Sequence, residues 1–434
     1  MKTIVFLIIF FFFSNLKAAT ILDYETETFI SNIISIITKA NKYEKNISFS
    51  IILDDKPNAY VSKNNKLFIS TGLLKYVESY EALVGVLAHE IGHLQKFHIS
   101  KRKDSIKKLQ NINNLTNFSI IAGSLISSNS DYMISSLVTN NIGIHNYIQS
   151  FSRNQEREAD YYAIETLNKL NLSSIPLVKF LIFLESQSTQ KGIRSEFYKF
   201  SSHPIYEERY DIINNIKSNQ KHNFDKKTNQ ELSYIRAKLF GFTEDSTNSL
   251  GEYLKGDFYF YAESIILSKK GKLKSSMIIL NNLIQKKPNN FFLLETKADI
   301  LYSNGFLNES LLFYKKSIQL NPKNIYIKKR IFDIKFSLNK IENLNTSKRL
   351  FSEFSFLLQI FSNNVDLKNK FKVLAFKTNK SDWIKYFSTM DKFNNNTING
   401  KEIIEILDKI KNNSSDSNLK ELINKNKSKI NEKI

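Results

Sequence analysis

The chain has 434 residues, 42% of them apolar, which is enough for two or three folded domains. Its formal charge of +20 comes overwhelmingly from Lys, with no arginine-rich cluster and no aromatic-flanked basic motif; it reads as a solvated surface and argues against nucleic acid as a partner. There is no cysteine, so no disulfide supports the fold and any metal site must be built from His and carboxylates.

At the start of the chain, Lys2 precedes an apolar run from Ile4 to Phe13, followed by the small pair Ala18-Ala19. That order predicts a signal peptide over residues 1–19 and a periplasmic protein. The run is too short to span a bilayer comfortably, so an inner-membrane anchor facing the periplasm is the alternative; at most peripheral membrane association is expected. Helical spacing of Phe29, Ile33, Ile34 and Ile37 predicts a first helix to about Ala40. Segments 47–51, 59–61 and 66–70 then read as strands of a small antiparallel sheet, separated by the turn residues Asp54 to Asn58 and Lys63 to Asn65. Two helices follow, the second with apolar positions Leu83, Val84, Leu87, Ala88, Ile91 and Leu94. Residues 109–151 are read as helices bordering a cleft, and further helices are expected over about 155–170 and 175–185. These elements make up a first domain over residues 20–216, closed by a polar linker over 217–230.

Past the linker, Gly271 and Gly305 stand 34 residues apart, and so do Pro288 and Pro322. That is the tetratricopeptide period, two helices joined at a Gly turn and closed by Pro, and it predicts a repeat domain over about 231–360. Residues 361–434 read as a helical Lys/Asn-rich region with a disordered tail. The fold class is therefore α+β, mainly α, with a small sheet followed by helical repeats. A stretch from Asp391 to Glu402 has a calcium-loop outline, but Phe393 and Asn396 stand where an oxygen ligand and Gly are needed, so it reads as a degenerate loop.

Chemistry concentrates in His89-Glu90-Ile91-Gly92-His93. Two His four apart on a helix project from one face and can reach a single zinc, while the intervening Glu sits to the side, where it can act as general base toward water. A third ligand is expected from another helix, and Glu156 is the best candidate, with Asp160 one turn further on to accept a hydrogen bond from a metal-bound His. Glu158 reads as a surface charge. His98, His145 and His222 read as surface or packing residues. His203 differs, because Pro204 fixes its backbone and Arg209 follows in an Arg-poor chain; it is expected to serve as a transient metal ligand or a donor to the tetrahedral intermediate.

Taken together, Asn58-Ala59-Tyr60, the run from Phe68 to Leu74, Glu81 through His93, Ser152 to Asp160, and His203-Pro204 with Arg209 resemble the gluzincin metallopeptidases of the HtpX, Oma and BepA type. The repeats behind the protease make periplasmic BepA-like proteases the nearest branch. The resemblance implies one Zn2+ held by His89, His93 and Glu156, Glu90 as general base and acid, and Asp160 as orienter. It also implies His203 at the zinc and substrate-binding roles for Asn58, Ala59, Tyr60 and Arg209. A zinc endopeptidase acting on unfolded or misassembled envelope proteins is the implied function, with a protein partner, such as outer-membrane assembly machinery, on the repeats. The alternative is a chaperone-like assembly factor whose proteolysis is latent or minor.

Overall fold

The computed structural model describes residues 20–100, 151, 153–190, 225–338 and 343–432. The amino-terminal segment 1–19, all but the last residue of the cleft helices expected over 109–151, and His145, His203, Arg209 and His222 lie outside them. The chain divides into two compact units, Met1–Ile266 and Leu267–Ile434.

The first unit opens with α1 (Tyr24–Ala40), capped by Asp23, whose carboxylate accepts from the Thr26 amide at 3.1 Å. Its buried stripe of Phe29, Ile30, Ile33, Ile34 and Ile37 follows the helical period of the sequence. Three strands follow, β1 (Ser48–Ile52), β2 (Ala59–Ser62) and β3 (Lys66–Ser70), in the order β1-β3-β2. The sheet is mixed, which corrects the expected antiparallel one: β2 pairs antiparallel with β3, but β1 pairs parallel with it, Ile51 opposite Ile69. The cause is the crossover over 53–58, which passes over the start of the next helix and so leaves β3 between the other two strands. Thr71 Oγ1 and the Gly72 amide donate to the Asp54 carbonyl at 2.9 and 2.7 Å, and Ser70 Oγ donates to the Lys56 carbonyl at 2.7 Å.

Ser70 then caps α2 (Thr71–Tyr76), and Ser79 caps α3 (Tyr80–Gln95), each accepting from an amide three residues on. Helix α3 is buried along nearly its whole length and packs against α1, α4 (Arg153–Lys169) and α5 (Ile175–Gln190). Close approach is possible because α3 carries Gly at the crossings: a Cβ on Gly92 would lie 3.1 Å from the Tyr162 Cβ and 3.3 Å from the Ala159 Cα.

Helices α6 (Lys226–Thr243) and α7 (Leu250–Tyr253) were assigned by sequence to the linker and repeats, yet they pack into this first unit. Residues 226–230 form the first turn of α6. The buried Arg236 donates from Nε to the Lys75 carbonyl at 2.9 Å, and the fully buried Lys75 pairs with Asp55 at 3.0 Å and Glu244 at 2.5 Å. Lys238 holds Asp23 and, at 3.5 Å, Glu25. Burial raises the pKa of Asp23, but Lys238 and the Thr26 hydrogen bonds outweigh it and hold the carboxyl below its ordinary 3.8. A carboxyl depressed in the folded state contributes stability that is complete above the unfolded pKa and is lost as pH falls through the folded one. Asp23→Asn is therefore expected to flatten the loss of stability below pH 3.8, measured by urea unfolding across pH. An unchanged acid limb would refute that contribution.

The second unit is helical: after α8 (Asp257–Lys269), which runs across the division, come α9 (Leu273–Lys286), α10 (Phe291–Ser303), α11 (Leu307–Leu320) and α12 (Ile325–Leu338). The two glycine turns match in detail. Gly271 and Gly305 have φ of 74° and 83°, and each is followed by an amide that donates back to a leucine carbonyl at 2.9 Å, Lys272 to Leu267 and Phe306 to Leu301. Helices α13 (Leu344–Phe354), α14 (Leu357–Ile360), α15 (Val365–Lys377), α16 (Ser381–Asn394), α17 (Gly400–Asn413) and α18 (Ser417–Asn431) complete the unit.

The carboxy-terminal stretch expected to be disordered is folded as far as described. In α18, Leu419, Leu422, Ile423 and Ile430 are buried, and Asp416 both caps the helix and accepts from the Trp383 indole at 2.8 Å. Its Lys/Asn composition conceals a single apolar face. Many of the asparagines are caps: Asn290, Asn343, Asn364 and Asn399 accept from the first amides of α10, α13, α15 and α17. The calcium-loop outline falls on the α16–α17 turn, where Asp391 accepts from Lys372 at 2.7 Å and Asn399 caps α17.

Candidate metal centre

Helix α3 delivers His89, Glu90 and His93 into the interior, and α4 crosses it at Gly92 so that Glu156 and Asp160 face the two imidazoles. All five side chains are buried. The Nε2 atoms of His89 and His93 lie 3.1 Å apart, and Glu156 reaches them with Oε2 at 3.4 Å and Oε1 at 3.6 Å respectively. One donor atom from each of these residues lies within 4.8 Å of the other two. Two imidazole nitrogens aimed at each other across hydrogen-bond distance, with a buried carboxylate alongside, fit a divalent cation with nitrogen and oxygen preference such as zinc.

Asp160 Oδ1 lies 2.8 Å from His89 Nδ1, on the side of the ring away from His93 Nε2 and Glu156. Around the pair, Phe151 stacks on His93 with centroids 3.8 Å apart at 17°. Strand β2, which carries Ala59 and Tyr60, packs on α3, and among the described residues no strand pairs with its outer edge. Asn58 stands at its entrance, with its amide donating to Ser70 Oγ at 2.8 Å, and Tyr60 stacks on Phe68 at 5.0 Å.

Two further residues, read from the sequence as packing or surface groups, contact this cluster. His98 is fully buried and lies with Nδ1 2.9 Å from His93 Nδ1. Glu158, read as a surface charge, holds His98 Nε2 at 3.0 Å through Oε2. Helical periodicity does not predict this, because the chain leaves the helix at Lys96 and reverses through Phe97, whose φ is 58°. That left-handed residue turns His98 back under the helix.

A small mixed sheet beside a buried HExxH helix, crossed by a helix carrying Glu and Asp one turn apart, defines a metallopeptidase-type site. Residues 25–217 match the model of Peptidase family M48. It is 23% identical over 276 residues to the Beta-barrel assembly-enhancing protease of Yersinia pestis and 22% over 276 residues to that of Escherichia coli K12. It is 21% identical over 289 residues to the Putative beta-barrel assembly-enhancing protease of Vibrio cholerae. Each match covers 61% of this chain, and the chain spans 55–56% of the length of these relatives. No helix among the described residues is long and apolar enough to cross a membrane.

Proposed function

We propose that the protein is a zinc-dependent endopeptidase of the periplasm that hydrolyses unfolded or misassembled envelope proteins, in outer-membrane protein assembly or degradation. The observation that carries the reading is the convergence of His89, His93 and Glu156, with Asp160 behind His89 and Glu90 buried on the same helix. The names of the relatives support the process, and the secretory pattern of residues 1–19 supports the compartment.

In this reading His89, His93 and Glu156 hold the zinc, and Asp160 fixes the His89 ring. Zinc bound there supplies the Lewis acidity that makes water a nucleophile near neutral pH. The Glu90 carboxylate accepts the proton of the attacking water at an Oε atom and passes it to the leaving amide nitrogen. The open edge of β2 at Asn58, Ala59 and Tyr60 receives an extended peptide by backbone hydrogen bonds, so side-chain selectivity is weak. His203 and Arg209 complete the site, His203 as a regulatory or catalytic group at the metal and Arg209 on the substrate. The tetratricopeptide-like helices of the second unit bind a protein partner or deliver substrate.

Stripping the purified protein with a chelator is expected to abolish cleavage of an unfolded protein, and about one equivalent of zinc should restore it. The second reading, a chaperone-like factor with latent proteolysis, is favoured by the 34-residue helical period of the repeats. No cleavage by zinc-loaded wild type or by His203→Ala would select it.

A further inference from the structure

We infer that His98 and Glu158 are positioning residues for His93, forming a two-membered relay that holds its ring in the metal-binding orientation. The inference rests on the metal-centre reading above and concerns a function it left unassigned. An imidazole that ligates through one nitrogen carries its proton on the other, and that proton needs an acceptor for the ring to be fixed. For His89 the acceptor is Asp160. Nδ1 of His93 faces another imidazole, His98 Nδ1 at 2.9 Å.

Chemistry fixes the direction of this chain from its far end. The Glu158 carboxylate only accepts, so His98 Nε2, 3.0 Å away, is the nitrogen that donates to it. His98 Nδ1 then offers a lone pair, and the His93 Nδ1–H donates to it. That leaves His93 Nε2 with its own lone pair, on the side where His89 Nε2 lies at 3.1 Å and Glu156 Oε1 at 3.6 Å. In this set of tautomers the Nε2 lone pairs of His89 and His93 face each other beside the Glu156 carboxylate, an arrangement that a bound cation would satisfy.

The backbone is arranged to deliver the relay. Phe97, bulky and mostly exposed, adopts φ of 58°, a left-handed conformation that side chains of this kind rarely adopt. The reversal brings His98 to full burial beneath Phe151, which stacks on His93. The two ligands are thus supported unequally. His89 leans on a buried carboxylate, whereas His93 leans on a neutral ring whose own anchor, Glu158, has a side chain 49% exposed.

The test uses the full-length zinc-loaded protein, measuring zinc affinity by competition with a chelator and the visible spectrum of the cobalt-substituted form. His98→Leu fills the space without either nitrogen and is expected to weaken zinc binding about 10- to 100-fold and to shift the cobalt bands. His98→Asn places an oxygen near the former Nδ1, so it is expected to restore most of the affinity and the wild-type spectrum. Glu158→Ala, at a half-exposed position that tolerates change, should weaken zinc about 10-fold.

Wild-type affinity in His98→Leu overturns the relay, and so does an Asn variant as defective as the Leu variant, since packing alone would then explain the loss. Should His98→Leu fail to fold, unchanged affinity in Glu158→Ala overturns it independently. Wild-type protein that binds no zinc would remove the metal-centre reading as well, which separates the two failures.

Discussion

Glu90→Gln is expected to reduce peptide cleavage by roughly 10²- to 10⁴-fold, the usual worth of a positioned acid–base group, with zinc content unchanged. The amide keeps nearly the same volume in a site where the side chain is 3% exposed, so packing of α3 is preserved while the proton acceptor is lost. Glu156→Gln should behave differently. It replaces a charged ligand that lies 3.4 and 3.6 Å from the two imidazoles, so zinc and cleavage disappear together. Groups that only support a ligand are worth about 10- to 100-fold in affinity, so removal of a ligand itself should exceed about 100-fold. Metal content and turnover measured on the same preparations separate the roles. A Glu90→Gln protein that still cleaves, or a Glu156→Gln protein that still retains zinc at wild-type affinity, would reject the assignment.

The sequence made this part of the site legible because each element needed only local geometry. The four-residue spacing of His89 and His93 and the four-residue spacing of Glu156 and Asp160 both translate directly into one helix face. What remained hidden depends on contacts between segments. His98 lies beyond the end of α3, and its burial depends on the left-handed turn at Phe97, a residue type that gives no warning of one. Glu158 shares no face with Glu156 and meets this cluster only through His98.

The same distinction explains the fold. The apolar stripe of α1 and the twin glycine turns at Gly271 and Gly305 were readable, because periodicity and chain reversal are local properties. The parallel pairing of β1 with β3 was not, since strand alternation is the same in either direction. Nor could composition reveal that α6 belongs with the first unit, because its anchoring side chains, Arg236 and Lys238, are buried charges that reach Lys75 and Asp23, 161 and 215 residues away. The folded α18 was missed for the converse reason: four buried apolar residues suffice for a face, even when Lys and Asn dominate the average.

Gly72→Ala is expected to be the most damaging small substitution in the first unit, costing about 3 kcal/mol, the upper end of the range for overpacking. An added Cβ would lie 2.4 Å from the Asp55 carbonyl oxygen and 2.5 Å from the Lys56 carbonyl carbon. Both obstacles are backbone, so no rotamer change relieves them, and the flanking residues are pinned: Asp54 by Thr71 and Gly72, Lys56 by Ser70. Relief requires the crossover to lift from the start of α2, and β2 begins immediately after it at Ala59. Gly251→Ala is the control, since nothing lies within 4 Å of its Cβ and its position in a helix favours Ala by roughly 0.5–1 kcal/mol. The α3–α4 crossing at Gly92 shares none of these latch contacts, so folded Gly72→Ala should still take up zinc. Because β2 is proposed to receive the substrate backbone, its displacement should appear as a raised KM for extended peptides beyond what the unfolded fraction explains. Urea midpoints near wild type for Gly72→Ala would show that the crossover is not held as described; a large stability loss with unchanged KM in the folded fraction would instead remove β2 from substrate binding while leaving the metal centre intact.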